Sequence, residues 1–307
     1  MAGVADLPPV GTRVSLRYRR PPGSTPPLTD VIGRLLQTGA LLLVRTKTGA
    51  VVEVAADDVV AVRALTAAPV RTSQIRATEH AAALAWPGTE QRWLDGWLLR
   101  GAAGHTHRAN SAVPLGVEAG IDSVPEIVDW YAQRGQTPWL AIPERLLSLP
   151  GGAPTHLDTV VMVRDLPAAA ADTSVTLAPQ PDSTWLRLYE REVPVEVLTA
   201  VVDGVVVFAT LGDAAVGRGA VTTAPDGRRF AGMSAVRVTD GHRRRGHARE
   251  LCTALLAWAA DQGADTCYAQ VLVDNAPAIA LYEQLGFTAQ HRARYFDAAH
   301  VRSVGHP

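Results

Sequence analysis

Cysteine and lysine are scarce in this chain: two of the first, Cys252 and Cys267, and one of the second, Lys47, in 307 residues. Two isolated cysteines make neither a disulfide framework nor a CxxC metal pair. Both read as small core residues, and a reducing cytosol fits them. No apolar run approaches the roughly 20 residues that span a bilayer, and "MAGVADLPPVGTRV" has no basic-then-apolar signal. A soluble, cytoplasmic protein is the expectation. An excess of one charge is missing too: 29 basic against 30 acidic side chains give a net charge of −1. Any attraction for a polyanion must therefore be local. With one lysine among 29 basic residues, arginine supplies the other 28. They are mostly scattered, which reads as GC-rich coding rather than as a nucleic-acid function.

There is chain enough for two or three domains. Residues 1–68 alternate as short strands ("TRVSLRY", "DVIGRLLQTG", "ALLLVRTKTG", "AVVEVAADDVVAV"), with a Gly-containing hairpin turn in "TKTGAVVEV". A small SH3-like β-barrel is predicted. Its basic loop "RYRRPPGSTPPL" leaves two uses open, docking without chemistry or binding of a nucleic acid or peptide. No aromatic platform accompanies those arginines. "TAAPVRTSQIRA" reads as a linker.

Residues 72–166 follow, with helices at "IRATEHAAALAW" and "DSVPEIVDWYAQRG" and strands at "DGWLLRG", "RANSAVPLG", "PWLAIP" and "LDTVVMVRDL". Pro/Ala-rich "LPAAAADTS" marks a boundary near 166–173. Residues 174–307 open with a helix interrupted by proline, "STWLRLYEREVPVEVLTAVV". Three strands come next ("GVVVFATLG", "AAVGRGAVTT", "RFAGMSAVRV"), then a helix over about 247–262. The strand "TCYAQVLV", the helix "APAIALYEQLG" and the ending "FTAQHRARYF" complete the chain. Strands feeding helices in this order predict a mixed α/β sheet.

The densest positive charge sits at a helix mouth. "VTDGHRRRGHARELCTALLAWA" gathers Arg243, Arg244, Arg245 and Arg249 around Gly246, with Arg237 just upstream. The helix dipole is already positive there, so the arrangement needs an anion. Leu251, Leu255, Trp258 and Gln262, with Ala254 and Ala259 between, form one face that packs on the sheet. The free N–H groups of the first turn then point out at the end of the preceding strand. Gly246 permits close approach, Ala248 keeps the next turn small, and the arginines suit a group with several charges, such as a pyrophosphate. A helix start with merely solvated arginines is the bland alternative. Other phosphate loops fit less well: no GxxxxGK[ST] is present, and the GxG at Gly217–Gly219 is followed by "AVTT".

"RRRGHA", Arg243 to Ala248, resembles the [QR]-x-x-G-x-[GA] signature of the GCN5-related N-acetyltransferases. "NAPAIALYEQLGF", Asn275 to Phe287, resembles the same family's N-x-x-A-x-x-L-Y-x-x-x-G-F segment. The resemblance covers about 174–297 and implies a catalytic GNAT fold that uses acetyl-CoA and no metal. It implies that Val236, Arg237 and Val238 lie along the pantetheine arm. Arg243, Arg244, Arg245, Gly246, His247, Ala248 and Arg249 would form the phosphate cradle. Asn275 would sit beside the coenzyme, and Tyr282 would be the general acid that protonates the departing thiolate. A packed aromatic is the competing reading of Tyr282. Ala278, Leu281 and Leu285 read as core.

The strand "FAGMSAVRV" lacks the carboxylate that many relatives use as a base. His291, Glu196 and Asp203 are candidates for that role. His242 and His247 flank the phosphates or face solvent, and His105 and His107 in "GHTH" lack further metal ligands. The stretch "WPGTEQRWLDGWLLRGAAGHTHRANSAVPLG" resembles the degenerate first lobe of actinobacterial relatives and carries no coenzyme signature. It would wall the acceptor channel, with Trp93, Trp97, Trp130 and Trp139 as bulk. The loop with Glu192–Val197 and the tail around Tyr295 are expected on the acceptor side. The expected activity is acetyl transfer to a primary amine. Two alternatives stay open: a histone-like lysine acetyltransferase with a nucleic-acid-binding barrel, and a non-catalytic acyl-CoA-binding regulator.

Overall fold

In the computed structural model, strand alternation builds the N-terminal unit. The strands are β1 (Arg13–Arg19), β2 (Leu28–Gln37), β3 (Leu41–Thr46), β4 (Val51–Ala55) and β5 (Val59–Ala64). They form one five-stranded antiparallel sheet in the order β4-β3-β2-β1-β5. Every second side chain turns inward, so Val14, Leu16, Val31, Leu35, Leu42, Val44 and Val54 make its core. The structure describes residues 7–46, 49–65, 70–149, 154–166 and 174–301; Lys47 lies outside them. Residues 1–69 and 70–307 separate as two units.

The second unit contains six helices among its described residues: α1 (Thr72–Ala85), α2 (Val124–Ala132), α3 (Ser183–Tyr189), α4 (Val195–Thr199), α5 (His247–Asp261) and α6 (Ala276–Gln284). A three-stranded sheet comprises β6 (Glu90–Leu94), β7 (Trp97–Gly101) and β8 (Val113–Pro114). The main sheet takes β9 (Trp139–Pro143), β10 (Thr155–Asp165), β11 (Thr176–Ala178), β12 (Gly204–Leu211), β13 (Ala215–Thr223), β14 (Arg229–Val238), β15 (Thr266–Leu272) and β16 (Thr288–Asp297). Its order is β11-β12-β13-β14-β15-β10-β16-β9. The boundary expected near 166–173 thus falls between two strands of one sheet, and 167–173 lie outside the described residues.

One pair in that sheet is parallel, β14 with β15. Parallel neighbours need a crossover, and α5 supplies it. Leu251, Leu255 and Ala259 of α5 bury against Val207, Ala231 and Met233. The helix comes close to the sheet because β13 carries Gly217 and Gly219 where Cβ atoms would press on Leu255. That is the use of the GxG: it is a packing surface. The opposite face is covered by α1, whose Ala77, Ala81 and Ala82 pack on Phe230 and Tyr268.

Two elements depart from the sequence pattern. The helix expected over "STWLRLYEREVPVEVLTAVV" is two short helices, because Glu190 turns left-handed at φ 54° and Pro194 precedes α4. Most of "RANSAVPLG" is turn and loop, not strand. Buried Asn110 holds it there: its Oδ1 accepts from the Ala102 and Gly104 N–H groups, and its Nδ2 donates to the His105 and Thr106 carbonyls. One amide side chain has taken over bonds that a ladder would have made.

Candidate active site

The pairing of β14 with β15 runs from Phe230↔Thr266 to Met233↔Ala269 and then stops. The next residues of β14 bulge: Ala235 has φ 54°, and the β13–β14 register shifts between Val216 and Arg218. A bulge bends its strand, and the two strands part. Ser234–Val238 keep β13 on one side, while their other edge has no ladder partner among the described residues. A cavity of about 510 Å³ opens in this split.

Its wall on the α5–α6 face is mostly apolar, with Val236, Val271, Ala278 and Tyr282. Its wall on the α1 face carries Trp86, Arg108, Ser234 and Gln270. Tyr189, Arg191 and Tyr295 also line it, as the acceptor-side expectation for the Glu192 loop and the Tyr295 tail implies nearby, although Glu192 itself does not.

Beyond Val238 the chain turns through Asp240–His242 into α5. Gly246 sits at φ 87°, a left-handed position that L side chains rarely adopt, and no side chain of the described residues caps the helix. The first-turn N–H groups are therefore free donors. Arg243, Arg244, Arg245 and Arg249 are all exposed around them. Arg243 reaches Asp240 at 2.8 Å, and Arg249 bonds Gln284. His242 bonds the Thr239 hydroxyl at 2.9 Å, and its ring lies 5.8 Å from that of His247. The turn joins the cavity through β14, but none of residues 243–249 lines the cavity itself.

Val236, Arg237, Asn275 and Tyr282 do line it; Val238 is the next residue along the strand. The Arg237 guanidinium is engaged elsewhere, by the Leu188 carbonyl at 3.0 Å and by Glu190. Exposed Asn275 caps α6, accepting from the Ala278 N–H. Ala278, Leu281 and Leu285 are half-buried packing residues rather than deep core. Tyr282 is 6% exposed and packs edge-on to Phe287, and its hydroxyl makes no hydrogen bond among the described residues. Burial holds its phenol pKa well above 10, so the proton stays on. Cys252 and Cys267 are buried thiols, the first pushed up to about 12 by burial.

The candidate bases are not brought to the cavity. His291 is buried against Glu79, Nε2 to Oε1 2.8 Å. Glu196 lies exposed on α4, and Asp203 exposed in the turn before β12. The lining holds no carboxylate at all among the described residues. It does hold His107, whose Nε2 stands 3.1 Å from His156 Nε2. Burial first, then the His156 charge, lowers the pKa of His107, which leaves it neutral near pH 7. His107, Arg108, Trp86, Ser234 and Gln270 escape sequence reasoning because four separate segments supply them.

Residues 72–296 match the family model described as "Probable histone acetyltransferase Rv0428c C-terminal". Residues 8–63 match "Rv0428c N-terminal Sm-like domain", so the first unit is similar to Sm-like domains rather than to SH3 domains in particular. The chain is 51% identical to "Probable histone acetyltransferase Rv0428c" of Mycobacterium tuberculosis over 97% of its own length and 98% of the relative. It is 24% identical to "Uncharacterized N-acetyltransferase YobR" of Bacillus subtilis, over 72% of this chain and 98% of that one. A GNAT-family acetyltransferase structure from Novosphingobium aromaticivorans superposes with a TM-score of 0.51 at 20% identity, covering 71% of this chain and 96% of the other. The chain belongs to the GCN5-related N-acetyltransferases.

Proposed function

We propose that the protein moves the acetyl group of acetyl-CoA to a primary amine by direct attack, inside the split between β14 and β15. One observation carries the reading: the split has a free strand edge at Ser234–Val238 and leads to an uncapped, arginine-ringed helix start at Gly246. These features fit the donor. A strand edge suits an amide-bearing arm, and free N–H groups with exposed arginines suit a pyrophosphate. Bound there, acetyl-CoA would supply an activated thioester carbonyl whose thiolate an amine displaces.

The chain's own residues do the rest. Main-chain N–H groups of the free β14 edge polarise the carbonyl oxygen. Tyr282, kept protonated by burial, gives its proton to the departing sulfur and recovers one from solvent. The neutral His107 imidazole takes up the proton that the attacking amine sheds, with His156 beside it to pass it on. Residues 72–166 act as a lobe without a coenzyme cradle, and α1 and the Asn110-pinned loop wall the acceptor side. The two unpaired thiols agree with a cytoplasmic setting.

The name of the Mycobacterium tuberculosis relative favours a second acceptor class, the lysines of a histone-like protein. Steady-state release of CoA from acetyl-CoA, with small amines and a lysine-rich peptide as acceptors, tests the reading. Acceptor-dependent CoA release supports it. Acetyl-CoA binding without release for any acceptor would leave a binding protein instead.

A further inference from the structure

The acceptor end of the cleft holds two arginines, Arg218 buried and Arg108 half-buried, that form no ion pair among the described residues. Arg218 of β13 is fully buried. Its Nε donates to the Leu198 carbonyl at 2.6 Å, and its Nη2 to the carbonyls of Ala85 at 2.9 Å and Ala200 at 3.0 Å. Its Nη1 has no partner among the described residues. The Nε of Arg108 is buried and equally unpartnered. Both guanidinium groups lie against the same ring, that of Trp86, at 4.4 and 5.9 Å from its centroid. Between them is a notch of about 10 Å³, floored by Gly232 and Tyr268. It holds about one water-sized atom. Trp86, Arg108, Ser234 and Gln270 line both the notch and the main cavity, so the one opens from the other.

A buried cation normally has a carboxylate beside it, because desolvating it alone is costly. Neither arginine has an ion pair among the described residues. Burial, and with it the nearby charge of Arg108, depresses the pKa of Arg218. The buried carboxylate on this face, Glu79, is already taken by His291. As a strut between three carbonyls Arg218 would need only its Nε and Nη2. The unused Nη1 and Arg108 are what a strut does not explain. Gly232 has a purpose here as well: a Cβ would run into the Tyr268 ring that floors the notch.

We infer that the notch is an anion subsite, in which Arg108 and Arg218 hold one oxygen of a carboxylate carried by the acceptor next to its amine, the rest of that group lying in the main cavity. The preferred acceptor is then a small amino acid or amino-acid-like acid, and a lysine-rich tail is disfavoured by the same charges. The inference rests on the acetyl-transfer reading. The carboxylate would accept from Arg218 Nη1 and from Arg108, pairing both, while the amine faces the split between the strands.

The test is kcat/KM at saturating acetyl-CoA for the common α-amino acids, their matched carboxamides, and a lysine-rich histone-tail peptide. The expected result is that the best acid exceeds its own carboxamide by roughly tenfold or more, mainly through KM, as charge-assisted pairing implies. In Arg108→Gln the ratio of acid to carboxamide should fall close to one, with the melting temperature reporting that the variant is folded. Should that variant not fold, the ratio in the unaltered protein decides by itself. Equal rates for acid and carboxamide, preference for the peptide, or no turnover of any acid would each overturn the anion subsite. Calorimetric binding of acetyl-CoA runs alongside: if it is absent, the donor reading has failed and this inference fails with it.

Discussion

Replacing Tyr282 by phenylalanine keeps the ring that packs 5.3 Å from Phe287 and removes one hydroxyl. That hydroxyl has no hydrogen-bond partner among the described residues, and Tyr282 lines the cavity. The fold should lose little: within about 1 kcal/mol, since no protein partner is left unpaired. Acetyl-CoA affinity should stay within about twofold for the same reason. Proton donation to the leaving sulfur is another matter. A positioned acid contributes on the order of 10²-fold, which at about 1.4 kcal/mol per tenfold is about 2.8 kcal/mol of barrier. The assay is single-turnover CoA release with the melting temperature measured on the same preparation. A normal rate in the folded Phe variant would refute the role and make Tyr282 a packing residue. A large stability loss with unimpaired chemistry would say the same.

The pH profile follows from the same burial. Because the Tyr282 pKa is held well above 10, kcat/KM for a carboxamide acceptor should rise as the amine deprotonates and show no fall from loss of the acid below pH 10; a falling limb below about pH 9 in folded enzyme would contradict it. Leu255→Ala removes a side chain that is 1% exposed between α5 and the glycines of β13, and should cost about 2–5 kcal/mol, read as a lowered unfolding midpoint. A chain beginning at Arg71 should keep acetyl-CoA binding and turnover of small amines, since every residue given a role here lies in the 70–307 unit; loss of binding in a folded truncation would show that the first unit contributes to the site.

What could be read from the sequence was local. Periodicity places α5 and β14, and the Arg–Gly turn marks the helix mouth, because charge, glycine and helix start are neighbours in the chain. Gly246 at φ 87° is the physical form of that reading. The acceptor side was not readable. Trp86 comes from the end of α1, Arg108 from a loop that looked like a strand, and Arg218 from β13; only the sheet brings them together. His291, one of the candidate bases, is out of reach for the same reason: β16 turns it inward to Glu79. The bulge at Ala235 gave no signal either, since alanine seldom advertises a left-handed residue.

Isothermal titration of acetyl-CoA into the full chain and into Gly246→Asp decides whether the Gly246 turn holds the coenzyme. No atom lies within 4 Å of a Cβ at residue 246, and aspartate tolerates the left-handed region better than most side chains, so the variant should fold with about 1 kcal/mol of strain. Its carboxylate would stand at the proposed pyrophosphate position. One acetyl-CoA per chain is expected for the parent protein and at least tenfold weaker binding for the variant, about 1.4 kcal/mol or more. Equal affinity in the two proteins would contradict that role of the turn.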